Sequence, residues 1–241
     1  MPELATIQPF DIPYRHLRLI GDRWQPAAPA RGEVLVLHGG GNSSGAGFEP
    51  LRRHLATQGF ASAAFDFIGH GRTGGALADS SLSDRAAQVL AVQDALALDA
   101  AQLTLIGFSM GAYVATRVVA LRPPAGLGLA IPAAYTPGAW TLPFGPRFAD
   151  CIRRPHSWAD TDAFEILSAY RGRLLVLSAD EDAVIPPEIP PRLYEAAAAA
   201  AWRRHHRIAG AGHKLDQHYA QRPADREIVY RQFAELCGAE A

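Results

Sequence analysis

Leu103-Thr-Leu-Ile-Gly-Phe-Ser-Met-Gly-Ala112 passes from a short apolar run through an abrupt turn into the opening of a helix. Leu103 to Ile106 predicts a buried strand, and Gly107 and Gly111 punctuate the turn. Tyr113, Val114 and Val118 then carry a helical pattern to about Leu121. A serine on such a turn sits in strained backbone, and its flanking glycines let strand and helix pass each other. Ser109 is thereby expected to face outward at a helix N-terminus, where developing negative charge is favoured.

Gly41-Asn-Ser-Ser-Gly45 matches the same Gly-x-Ser-x-Gly spacing, so the spacing alone decides nothing. Ser43 lies well past the end of its strand, behind three loop glycines. Ser109 follows Ile106 almost at once and opens a helix. Only the second stretch has the strand, turn and helix of a nucleophile elbow, which makes Ser109 the candidate nucleophile.

The rest of the chain supplies a sheet for that elbow. Residues 10 to 25 alternate polar and apolar positions, with a Gly21-Asp22 break, and predict an antiparallel edge hairpin. Val34-Leu-Val-Leu37 is a continuous apolar run of the kind buried on both faces in a parallel sheet. Strands are then expected at 61–67, 103–106, 127–131, 173–177 and 203–208. Helices are expected at 47–58, 82–98, after the elbow, near 161–169, at 188–201 and at 223–237. Ser81-Leu-Ser-Asp84 fits a capping box for the second of these. The alanine run 196–200 is read as helix interior, since alanine is the best helix former. Such alternation implies an α/β fold with a mostly parallel, doubly wound sheet and one domain over residues 1–241. Residues 132–160 break the rhythm with five prolines and bulky Trp140, Phe144, Phe148 and Trp158; an irregular, functional insertion is expected there.

Composition narrows the function classes. The 23 basic and 24 acidic residues leave a formal net charge of −1 and no extended basic footprint, so no nucleic-acid partner is expected. Met1 to Phe10 lacks a positive region followed by an apolar core, and no apolar run approaches ~18 residues. The expectation is a cytoplasmic protein without a membrane span. Cys151 and Cys237 match no metal or redox spacing and read as packed thiols. His205, His206, His213 and His218 do not make a zinc site, because neighbours on a strand point to opposite faces and no thiolate or carboxylate completes the set.

Three further strand ends carry polar residues suited to a serine nucleophile. Strand 34–37 runs into His38-Gly-Gly-Gly-Asn-Ser-Ser44, strand 173–177 into Ser178-Ala-Asp-Glu-Asp182, and strand 203–208 into Ala209-Gly-Ala-Gly-His213. In open α/β sheets the site lies beyond these carboxyl ends. His213, on a glycine-rich loop, can accept the Ser109 proton and return it to a leaving group. A buried carboxylate would orient that imidazole, and Asp180 and Asp182 compete for the role.

Taken together, the elbow, the glycine loop and the Ser, Asp, His order resemble the α/β-hydrolase superfamily, from about residue 30 to the C-terminus. Asp66-Phe-Ile-Gly-His-Gly-Arg-Thr73 is similar to the family's Asp-x-Arg-Gly-x-Gly-x-Ser segment, with Ile68 and Thr73 departing from it. The resemblance implies Asp66 and His70 as structural residues and Asp182 as the triad acid. It also implies an oxyanion hole from the N–H groups of Gly40 and Met110, with Gly41 next to them. The insertion corresponds to a short cap, whose Trp140 and Phe144 are expected to bind substrate together with Gly41. By the same resemblance the chain is a serine esterase acting on small to medium esters without a cofactor. Thioesterase, acyltransferase or C–C bond hydrolase chemistry would use the same triad. A binding receptor with a vestigial triad is the alternative from another class.

Overall fold

The computed structural model describes residues 5–238; Met1 to Leu4, part of the N-terminal stretch read above, and 239–241 lie outside the described residues. Eight strands form one sheet: β1 (Ala5–Tyr14), β2 (Leu17–Pro26), β3 (Glu33–Leu37), β4 (Ala61–Phe65), β5 (Leu103–Phe108), β6 (Gly126–Ala130), β7 (Arg173–Ala179) and β8 (Trp202–Ile208). Their order is β1-β2-β4-β3-β5-β6-β7-β8. β1 and β2 pair antiparallel, β2 joins β4 antiparallel, and every other pairing is parallel. The helices are α1 (Glu49–Thr57), α2 (Leu82–Ala95), α3 (Met110–Val119), α4 (Pro146–Ile152), α5 (Ala163–Ala169), α6 (Ile189–Ala196), α7 (Leu215–Gln221) and α8 (Pro223–Leu236).

Alternation along the central strands splits the core into two layers. Leu35, Leu37, Leu105, Leu174 and Val176 pack on the face covered by α2, α3, α5 and α6. Val34, Val36, Ile106, Leu175 and Leu177 pack on the opposite face with α1 and α8. This is the period-2 geometry of a strand buried on both sides. Among the described residues, no helix is long and apolar enough to cross a membrane.

Three expectations need correction, and one helix is added. The hairpin turns at Arg15-His16, and Gly21-Asp22 lies inside β2. A Cβ at Gly21 would collide with the ring of Phe10, so glycine there makes room for an aromatic from β1 and does not mark a turn. The alanine run leaves α6 at Ala196, because tertiary context outranks propensity and the chain must turn into β8. α7 was not foreseen; it is two turns long and Pro223 ends it. Finally, residues 132–160 are not irregular throughout: they contain a 3₁₀ turn at Pro137–Ala139 and α4.

This insertion is stitched to the α2 side of the sheet. Ser83 N–H donates to Trp140 O and Phe144 N–H to Ser80 O, both at 2.9 Å. Phe144, Phe148 and Trp158 are buried in the same layer as α2 and α3.

Candidate active site

Ser109 sits between β5 and α3 at φ +53° and ψ −117°, a conformation rarely adopted by a side-chain-bearing residue. The neighbouring contacts over-determine it. Ser109 N–H donates to Ala130 O at 2.9 Å, and its carbonyl accepts from Ala112 at 3.0 Å and Ala133 at 3.2 Å. A Cβ at Gly111 would stand 2.5 Å from His38 O, and one at Gly107 would strike the backbone of Gly111 and Ala112. Helix and strands thus approach each other only because both positions are glycine.

The three side chains expected to converge do so. His213 Nε2 lies 3.1 Å from Ser109 Oγ, and His213 Nδ1 lies 2.9 Å from Asp182 Oδ2. The other oxygen of Asp182 accepts from Val184 N–H at 2.8 Å and Ile185 N–H at 3.0 Å. That arrangement aims the carboxylate at the imidazole. Asp180 turns away and pairs with Arg207 at 3.2 Å. The remaining histidines serve elsewhere: His205 bonds Ser178 and His218 bonds Asp225.

Chemically, a hydroxyl, an imidazole and a carboxylate in this line can pass a proton from Ser109 to His213 while Asp182 stabilises the imidazolium. The site opens into a cavity of about 980 Å³ lined by Gly39, Gly40, Gly41, Ser109, Met110 and His213 at one end. Its apolar walls come from Phe48, Phe108, Leu215, Val229 and Phe233, on the α1/α8 side of the sheet, and Lys214, Asp216 and Arg226 line it as well.

Trp140 and Phe144 do not line this cavity. Trp140 stacks on Arg117, whose guanidinium carbon is 3.8 Å from the ring centre, and Phe144 packs beneath Arg85 at 4.6 Å. Both stay with the insertion on the α2/α3 side; from residues 132–160 only Tyr135 reaches the cavity. The aromatic walls that sequence reading missed carried a signal in Phe108, inside the elbow itself, and in Phe233, on the apolar stripe of α8.

The segment after β4 is structural. Buried Asp66 accepts from Gly45 N–H at 2.7 Å and Arg72 N–H at 2.8 Å, tying the glycine loop to the turn after β4. Thr73 Oγ donates to Asp66 O and accepts from Ile20 N–H. Ile68 is core.

His38 is buried without exposure, and burial and then the charge of Arg85 push its pKa down to about 3. Its Nε2 accepts from Phe67 N–H at 3.0 Å, so the neutral ring carries its proton on Nδ1, which donates to Gly39 O at 2.8 Å. His70 is lowered for the same two reasons.

No curated protein matches the sequence. Among solved structures the fold is similar to ferulic acid-bound Est1E from Butyrivibrio proteoclasticus, at 19% identity over 93% of this chain and 99% of that one, with a TM-score of 0.72. It is also similar to the monoacylglycerol lipase of Paleococcus ferrophilus (20% identity, 92% and 99% coverage, TM-score 0.70). A third is the thioesterase domain from the curacin biosynthetic pathway (17%, 96% and 99%, TM-score 0.68). At such identities these likenesses speak for the architecture. The sequence model of the family described as serine aminopeptidase, S33, matches residues 28–161, more than half of the chain. The chain belongs to this family of α/β-hydrolases.

Proposed function

We propose that the chain is a serine hydrolase that cleaves small to medium carboxylic esters through an acyl-enzyme. The observation that carries this reading is the continuous line from Ser109 Oγ through His213 to Asp182, at 3.1 and 2.9 Å. Ser109 Oγ attacks the ester carbonyl as His213 Nε2 takes its proton. The tetrahedral oxyanion is held by the N–H groups of Gly40 and Met110. The alcohol leaves with the proton from His213, and a water deprotonated by the same imidazole attacks the acyl-serine to release the carboxylic acid. These steps draw on no cofactor.

The cavity supports an apolar acyl or alcohol group lying between Phe48, Phe108 and Phe233. Asp216 is the only carboxylate lining it among the described residues, and it stands with Lys214 and Arg226. A peptide α-ammonium therefore finds no acidic cluster there, which favours an uncharged ester over an aminopeptidase substrate.

The test is turnover of a graded panel of p-nitrophenyl esters and acyl thioesters by the protein and its Ser109→Ala variant. Loss of roughly 10⁶ in kcat is expected in the variant. Ester turnover that survives Ser109→Ala ends the triad reading; preference for thioesters over matched esters moves the substrate class.

A further inference from the structure

Arg85, on α2, is fully buried yet has no carboxylate within ion-pair distance among the described residues. Buried cations are costly unless matched, so its surroundings have to explain it. Nη1 donates to Gly39 O at 3.3 Å and contacts Met110 Sδ at 3.2 Å; Nη2 reaches His70 Nδ1 at 3.3 Å. Nε has no partner, and the guanidinium lies between the rings of Phe67 and Phe144 at 4.8 and 4.6 Å. Burial lowers its pKa to about 10, which leaves it charged at neutral pH. Both neighbouring histidines are held below their usual pKa, so neither adds to the charge of Arg85, and Asp84 acts on it only from beyond ion-pair distance.

The Gly39 carbonyl is the point of contact that matters. In a trans peptide the carbonyl of residue i and the N–H of residue i+1 point in opposite directions. Among the described residues no peptide bond is cis, so holding Gly39 O against Arg85 turns Gly40 N–H the opposite way, on a residue that lines the cavity together with Ser109. Gly39 and Gly40 have little side-chain mass to resist rotation of this peptide plane. Two buried donors hold it: His38 Nδ1 at 2.8 Å and Arg85 Nη1 at 3.3 Å. Arg85 also touches Met110, whose Cε would lie 3.4 Å from a Cβ on Gly40.

We propose that Arg85 is a positioning residue for the oxyanion site, bridging the Gly39–Gly40 peptide and Met110 so that both N–H donors face one point beside Ser109. It touches no reacting atom. Its charge also lies behind the donors in a region of low dielectric, where it favours negative charge developing in front of them. The proposal rests on the assignment of Ser109 as nucleophile.

The experiment compares Arg85→Met and Arg85→Lys with the wild-type protein, each checked for folding by circular dichroism and thermal melting. Loss of a whole oxyanion donor costs 10²–10³ in kcat, so misaligning one in Arg85→Met is expected to cost about tenfold to a hundredfold, with KM within about threefold. A trifluoromethyl ketone that forms a tetrahedral adduct should lose affinity by a similar factor, and Arg85→Lys should recover part of both. Unchanged kcat and ketone affinity in folded Arg85→Met overturn the proposal, as does an equal loss in KM alone. Should Arg85→Met not fold, the same two readouts on Arg85→Lys decide: the fork geometry is gone there, and wild-type values overturn the proposal. Should the wild-type protein cleave no ester, the ester reading fails separately. The rate at which a fluorophosphonate modifies Ser109 then replaces kcat, since its phosphoryl oxygen needs the same donors.

Discussion

Asp180 and Asp182 stand two residues apart on one loop and face different partners: Asp182 grips His213 at 2.9 Å, while Asp180 meets Arg207 at 3.2 Å. Asp182 is 7% exposed and Asp180 34% exposed at their side chains. Replacing Asp182 by alanine should therefore lower kcat by roughly 10⁴, and replacing Asp180 should cost less than about tenfold. Steady-state kinetics on one p-nitrophenyl ester separates the two; the reverse order would move the acid to Asp180.

Acid sensitivity should trace in part to His38. Its folded-state pKa, near 3, lies below the unfolded value of about 6.5, so the unfolded chain binds the extra proton between these limits. Stability from this group is complete above about pH 6.5 and falls as pH drops toward 3, by several kcal/mol in all. Urea unfolding at a series of pH values should show a shallower acid slope for His38→Gln than for the wild-type protein, together with lower stability at pH 7. Parallel slopes would mean that other buried histidines carry the effect.

Chain-length preference should respond to the α8 wall and not to the insertion. Val229→Phe narrows the apolar end of the cavity and should shift the optimum on the ester panel toward shorter acyl groups. Trp140→Ala removes a ring that stacks on Arg117 outside the cavity, so KM should stay within about twofold while the melting temperature falls. A large KM change in Trp140→Ala would place the insertion over the substrate after all.

The elbow glycines should be intolerant of even one methyl group. Gly111→Ala brings a Cβ to 2.5 Å from His38 O, where neither helix nor strand can yield, and should destabilise by about 1–3 kcal/mol or more. Gly138→Ala meets nothing closer than 3.8 Å and should stay within about 0.5 kcal/mol. Denaturant midpoints measure both.

Much of this molecule was legible one residue at a time. Runs such as Val34–Leu37, and Leu103–Ile106 with its single Thr104, announce two-faced strands because burial on both sides disfavours polar positions in them. Ser109 and His213 could be read because each follows a strand whose end, in a parallel sheet, lies on a common rim; the same argument left Asp180 and Asp182 competing, and the family resemblance favoured Asp182.

Other features follow from contacts between distant segments. Gly21 looks like a turn until the ring of Phe10 is laid over it, and the alanines after Ala196 look helical until β8 draws the chain away. Trp140 and Phe144 are aromatic in an insertion wherever it folds; their layer was set by packing against α2, which left the cavity to Phe108, Val229 and Phe233. Arg85 is an ordinary helix cation in one dimension. The role proposed for it depends on a carbonyl 46 positions away, and local pattern carries no information about such a pairing.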